Sequence, residues 1–363
     1  MFDFPSPDYV ILDKQERVGY IFAELARVRD HQLSRVNVFV LDKPATHFCL
    51  RCFLLEVTMK AIRIHQYGDA STLKLEEVPR LSITDDQLLV RIRDAGVNPI
   101  DWKIRQGYMK QVRPANFPIT MGQDFAGEVV EVGKNVTEFA SGDRVFGFAQ
   151  GTYAEYAAAS ASTVAAIPDT LDFTTAAALP TAGSTALQII RDVVSAKSGM
   201  TILIHGAAGG VGSYASQIAN NLGARVIGTA ASGDIEYLKS LGVDEIVDYQ
   251  RERFEDKAIG VDAVVDLVGG DTLARSYGVI KRGGVLATTV QPIDEAAAQH
   301  AGIRAVQVIM RRNARDLVEL ASLVEKGAVK PRVSETMNLN QAKQAQELSE
   351  SGKTRGKVIL KVA

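Results

Sequence analysis

Two periods of hydrophobicity alternate between residues 200 and 231. Residues 201–205 (TILIH) are nearly all apolar, as in a parallel strand buried on both faces. Val211, Ala215, Ile218, Ala219 and Leu222 then recur at helical spacing, and Gly223 follows where a helix C-terminal glycine belongs. A second β-rich run at 225–229 completes one βαβ unit. The rhythm continues with apolar runs at 245–247, 261–268 and 285–290, the last two bordered by Gly269-Gly270 and Gly283-Gly284. Asp262 and Asp266 flank the 261–268 run and are expected to accept from loop N–H groups. Earlier in the chain, residues 59–64 alternate as a strand does. Before Met59, the residues Val18, Ile21, Phe22, Leu25 and Val28 predict one amphipathic helix. The pattern is that of an α/β protein.

The turn between the first strand and the helix fits A-x-G-x-x-G at Ala207, Gly209 and Gly212. Gly209 lets the backbone approach a pyrophosphate, and Gly212 lets the helix pack closely on the strand. Gly210 and Val211 open the helix, whose free N–H groups and partial positive charge suit phosphates. The end of the second strand selects the cofactor. An NAD site places a carboxylate there for the ribose 2′-hydroxyl. Here residues 229–232 read TAAS, without an acid. Ser232, Tyr249, Arg251 and Arg253 can instead serve a 2′-phosphate, so NADPH is expected. Asp234, two residues further, argues for NADH if its loop folds back.

A chain of 363 residues suggests two domains. The formal net charge of −2 gives no field favouring nucleic acid or an anionic membrane. No apolar run approaches the ~20 residues that span a bilayer. The two cysteines, Cys49 and Cys52, exclude a disulfide scaffold and suit a reducing, cytoplasmic setting. They form a C-x-x-C pair without the second pair that a closed zinc site needs. Residues 1–58 lack the features of a secretory signal and are rich in acids for a transit peptide. They are expected to be a poorly ordered extension, or sequence upstream of a true start at Met59.

Several stretches resemble one family: MKAIRIHQYG, AGVNPIDWKIRQG, MGQDFAGEVVEVGKNV, GDRVFGF, GTYAEYAAAS, AALPTAGSTALQ, HGAAGGVGSYASQIA and GKVILKV. In this order they are similar to the medium-chain dehydrogenase/reductase superfamily, in its zinc-free quinone oxidoreductase branch, which includes enoyl reductase-like enzymes. The resemblance implies two lobes: a β-rich GroES-like substrate domain at 59–180, completed by 330–363, and a doubly wound Rossmann domain at 181–329. It implies an active site in the cleft between them and a homodimer, for which residues 306–310 are either an edge strand that pairs across subunits or an internal one.

The zinc branch would place a Cys in the segment Asn98-Pro99-Ile100-Asp101 and a His–Glu pair where this chain has Gly122-Gln123-Asp124. This chain has neither, so the resemblance implies no metal. It implies hydride transfer from NADPH to a small quinone, enone or related carbonyl. Asn98 matches an asparagine on the nicotinamide ribose side, and Thr181 and Thr185 match positions near the nicotinamide. Many relatives carry a tyrosine within the segment that here reads Asp101-Trp102-Lys103. Lys103 and Tyr153 are therefore alternative donors to the substrate oxyanion. A nucleotide-binding module with little catalysis is the competing reading of the same fold.

Overall fold

The computed structural model describes residues 9–12, 37–40, 58–112 and 114–362. Six parallel strands form the sheet of the nucleotide lobe. Their spatial order is Glu245–Asp248, Arg225–Ala230, Thr201–His205, Val261–Asp266, Ile280–Thr288 and Arg304–Gln307. Counted along this lobe the order is 3-2-1-4-5-6, that of a doubly wound dinucleotide fold. The apolar run Thr201–His205 lies in the middle of the sheet, and Ile202, Leu203 and Ile204 are fully buried. The helix Gly210–Asn221 buries Ala215, Ile218 and Ala219 of the face its spacing announced, while Leu222, just past its end, is exposed. Strand order reverses between Thr201–His205 and Val261–Asp266. The crevice at their carboxyl ends therefore opens beside the glycine turn. Asp262 accepts from the Thr201 N–H at 2.7 Å and Asp266 from the Gly269 N–H at 3.0 Å.

The other large sheet is mostly antiparallel, with Gln87–Val97 as its hub. That strand pairs with Asp124–Val132, Tyr156–Ser160 and Lys357–Lys361. The last of these comes from the end of the chain and takes Val333–Asn338 on its other side in parallel. Thr58–Ile64 joins a small sheet with Lys74–Pro79 and Ile119–Thr120. Its first four residues alternate exposed and buried, as their polarity predicts.

One apolar cluster runs from Ile202, Ile204 and Ala215 through Leu179, Ala182 and Leu187 to Phe146 and Phe148 of the first lobe. The helix Pro180–Leu187 is thus buried between the lobes and seats one on the other. The edge of the six-stranded sheet is Arg304–Gln307, shorter and earlier than the run expected at 306–310. Tyr9–Leu12 pairs in parallel with Asn37–Val40. The helix expected over 18–28 and the Cys49/Cys52 pair lie outside the described residues. Among the described residues, no helix is long and apolar enough to cross a membrane.

Candidate active site

The glycine turn has the backbone that phosphate binding demands. Gly206 turns the chain at φ +69°, a left-handed conformation suited to glycine. Gly209 caps the helix in an extended conformation that any residue can adopt. A Cβ there would meet only the Gly206 carbonyl oxygen, at 3.3 Å, so the space before the helix is open. Gly212 differs. A Cβ there would lie 2.7 Å from Ala207 Cα, so its absence lets the helix pack on the buried Ala207. Gly210 and Val211 form the first helical turn, with N–H groups facing the crevice end of the helix.

The ribose end holds both acids and cations. Ser232 donates its hydroxyl to Asp248, so it is engaged with a carboxylate, contrary to its expected role as a donor awaiting phosphate. Tyr249 is 63% exposed, and Arg251 Nε lies 3.7 Å from Asp248. Arg253 pairs with Glu255 at 3.3 Å. Asp234 is buried, and Arg355 from the closing segment pairs with it at 2.8 Å. Sequence reasoning missed Arg355. No local pattern links a loop beyond 350 to the end of the second strand of this lobe.

At the junction of the lobes, four side chains form a continuous polar chain. Asn98 ends the hub strand, and its amide donates to Asp124 Oδ2 at 2.8 Å. The Asn98 carbonyl oxygen accepts from Lys357, whose ammonium also donates to the Val97 carbonyl at 2.9 Å. Asp124 further accepts from the Thr181 N–H at 2.9 Å and the Thr181 hydroxyl at 2.5 Å. Thr185 spends its hydroxyl on the Thr181 carbonyl at 2.6 Å, one helical turn back. Strand end, strand start, bridging helix and last strand are thereby locked together. Burial pulls the Lys357 ammonium below the usual lysine range, against the attraction of Asp124 and Asp101. Lys357 lies in the GKVILKV stretch, and nothing in its own neighbourhood announced a buried cation.

Asn98 also caps the short helix Pro99–Arg105, in a box closed by Asp101. Asp101 is fully buried and accepts from the Asn98 N–H and the Tyr153 hydroxyl, both at 2.8 Å. Burial pushes its carboxyl up to about 6, against those two hydrogen bonds. The same burial, with Asp101 beside it, holds the Tyr153 hydroxyl well above the usual phenol range. Tyr153 is completely buried. Its expected role as donor to a substrate oxygen does not fit this geometry, because its proton is given to Asp101. Lys103 sits in the last turn of the same helix, half-buried, with its ammonium 5.6 Å from the Trp102 ring centre. Trp102 in turn meets Tyr108 edge to face at 6.0 Å.

Among the described residues, no three His, Cys, Asp or Glu side chains converge to hold a metal ion. Gln123 and Asp124 stand where the zinc branch would supply ligands, and an amide beside one carboxylate is a poor zinc set.

Two family models match the chain: an alcohol dehydrogenase GroES-like domain over 84–169 and a zinc-binding dehydrogenase over 241–360. Among curated proteins, the 2-methylene-furan-3-one reductase of Solanum lycopersicum is 36% identical. That match covers 83% of this chain and 79% of the relative. Among solved structures, the quinone oxidoreductase from Coxiella burnetii superposes with a TM-score of 0.80 at 36% identity, covering 84% of this chain and 100% of that one. The Escherichia coli quinone oxidoreductase complexed with NADPH superposes at 0.77 with 27% identity, covering 83% and 99%. On these matches the chain belongs to the quinone oxidoreductase branch of the medium-chain dehydrogenase/reductase superfamily as an oxidoreductase.

Proposed function

We propose that this enzyme uses NADPH to reduce a conjugated carbonyl, an enone or quinone, without zinc. The observation that carries the reading is the glycine turn, whose Gly210 lies against Lys357 of the junction that Lys357 forms with Asn98, Asp124 and Thr181. The relatives named above, a furanone reductase and a quinone oxidoreductase complexed with NADPH, support it. The proposed lobes are 59–180 with 330–363, and 181–329, and we propose a cytoplasmic homodimer.

The residues present fit the cofactor. Gly209, Gly210, Val211 and Gly212 would hold the pyrophosphate, with Ala207 beneath the turn. Tyr249, Arg251 and Arg355 would surround the 2′-phosphate. Thr181, Thr185 and Asn98 would flank the nicotinamide. When bound, NADPH supplies a hydride. In an enone, the β-carbon receives that electron pair and the carbonyl oxygen becomes an enolate. The Lys103 ammonium is our candidate to donate a hydrogen bond to that oxygen. The α-carbon then takes a proton from Lys103 or from water. Delocalisation in the conjugated acceptor removes the need for a Lewis acid. NADPH oxidation measured with a panel of enones and quinones, with and without chelator, tests the reading. Turnover unchanged by chelator supports it. Turnover abolished by chelator, or absent with every acceptor, overturns it.

A further inference from the structure

We propose that Arg312 is a substrate-anchoring residue that selects conjugated carbonyls bearing a carboxylate. The inference rests on the function proposed above. Arg312 follows the edge strand of the nucleotide lobe, yet its side chain reaches the other lobe. Its guanidinium donates to the side-chain oxygen of Gln123 and lies 5.5 Å from the centre of the Phe148 ring. Gln123 immediately precedes Asp124, and Phe148 is the register partner of Asp124. The cation therefore stands at the same end of the same two strands as the Asn98–Asp124–Thr181 junction. It is half-buried, whereas Gln123 and Phe148 are buried.

Its placement is built. Gln188 grips the preceding residue on both sides, donating to the Arg311 carbonyl at 2.7 Å and accepting from the Arg311 N–H at 3.0 Å. The next residue, Asn313, caps the helix Ala314–Glu325 by accepting from the Asp316 N–H at 2.9 Å. Asp316 is held by Arg191 at 2.9 Å and by Gln188 at 2.6 Å. Both neighbours are thus fixed to the nucleotide lobe, so the intervening side chain reaches Gln123 and Phe148 with little backbone freedom. A guanidinium is a planar fork that matches a carboxylate with two parallel hydrogen bonds. A carboxylate is a stronger acceptor than the amide oxygen of Gln123, and a guanidinium has five N–H donors, so it can take a carboxylate beside its present contacts.

The test compares 3-penten-2-one with 4-oxo-2-pentenoate, which share the enone and differ in the carboxylate. It also titrates 4-oxopentanoate, the saturated acid, onto the NADP⁺-loaded protein by calorimetry. The wild type is expected to favour the acid by about tenfold or more in kcat/KM, the scale of one charge-assisted hydrogen bond. Arg312→Ala should lower that ratio about tenfold from the wild-type value and weaken 4-oxopentanoate about tenfold. Arg312→Lys, which keeps the charge but loses the fork, should restore part of both. A purely structural strut would lower kcat/KM for both enones together and leave their ratio unchanged, which overturns the proposal. So does wild-type indifference to the carboxylate, or undiminished 4-oxopentanoate binding by Arg312→Ala. If the wild type binds NADPH but reduces neither enone, the enone reading fails, while the calorimetric comparison still decides the role of Arg312.

Discussion

Arg355 holds Asp234 in a 2.8 Å ion pair at the end of the second strand of the nucleotide lobe. Asp234 was the one residue there that argued for NADH. With Arg355 beside it, the carboxylate is paired with a cation, which in the proposed cofactor site would face the 2′-phosphate. Arg355→Ala should raise the Kd for NADPH about tenfold or more, since charge-assisted hydrogen bonds contribute roughly 1.5–3 kcal/mol. NADH, lacking the phosphate, should be affected far less. Fluorescence titration of both cofactors checks this. An equal loss for both would show that Arg355 acts on the fold and not on the phosphate.

Two glycines of one turn should behave differently. Gly209→Val adds a side chain in an allowed conformation with the Gly206 carbonyl oxygen, 3.3 Å from its Cβ, as its one close neighbour, so the protein should fold and lose NADPH binding. Gly212→Val forces the helix off Ala207 and should lower the melting temperature sharply, as overpacking costs about 1–3 kcal/mol or more. Thermal melts beside NADPH titrations separate the two. Normal cofactor binding by Gly209→Val would put the phosphates elsewhere.

What the sequence revealed follows a physical division. The parallel sheet was legible because strands buried on both faces have an apolar centre, as Ile202, Leu203 and Ile204 do. The turn was legible because Gly209 and Gly212 act within a few residues of each other. The lobe junction was only half legible. Asn98 and Thr181 were named, but Lys357, whose ammonium fixes the Asn98 carbonyl, comes from the far end of the chain. Arg355 and Arg312 escaped for the same reason. Each is an ordinary basic residue until tertiary structure brings its partner. Tyr153 looked like a donor because a tyrosine near the cleft is chemically apt, but burial against Asp101 overrode that aptness.

Lys103 and Tyr153 should therefore part company kinetically. Lys103→Ala should lower kcat on an enone by roughly a hundredfold, as loss of one oxyanion donor does, with NADPH affinity little changed. Tyr153→Phe removes a hydrogen bond to Asp101 and should chiefly lower stability, by about 1–3 kcal/mol. Steady-state kinetics and denaturant unfolding on both variants check the split. Wild-type turnover in Lys103→Ala would leave solvent as the proton source.

His205 makes the stability depend on pH. Its ring lies buried between the Thr229 hydroxyl at 3.2 Å and the Ser276 hydroxyl at 3.0 Å. Burial lowers its pKa from 6.5 to about 4. The folded state therefore prefers the neutral ring. Its contribution is complete above pH 6.5 and is lost as pH falls from 6.5 to about 4, by about 3 kcal/mol. Asp101, raised from 3.8 to about 6, runs the other way, favouring the fold at low pH and losing that preference as pH rises through 6. The comparison must therefore be between variants. Urea unfolding of His205→Gln should show a shallower loss between pH 6.5 and 4 than the wild type. Identical slopes would mean that the ring is not the titrating group.

The most direct test of the account follows the hydride itself. NADPH carrying deuterium at the transferable C4 position is incubated with an excess of an enone, and the product is analysed by mass spectrometry and NMR. One deuterium on the β-carbon of the saturated ketone, delivered equally well in the presence of chelator, is the predicted result. NADPH binding without deuterium in any product, or delivery that stops when metal is removed, would contradict it.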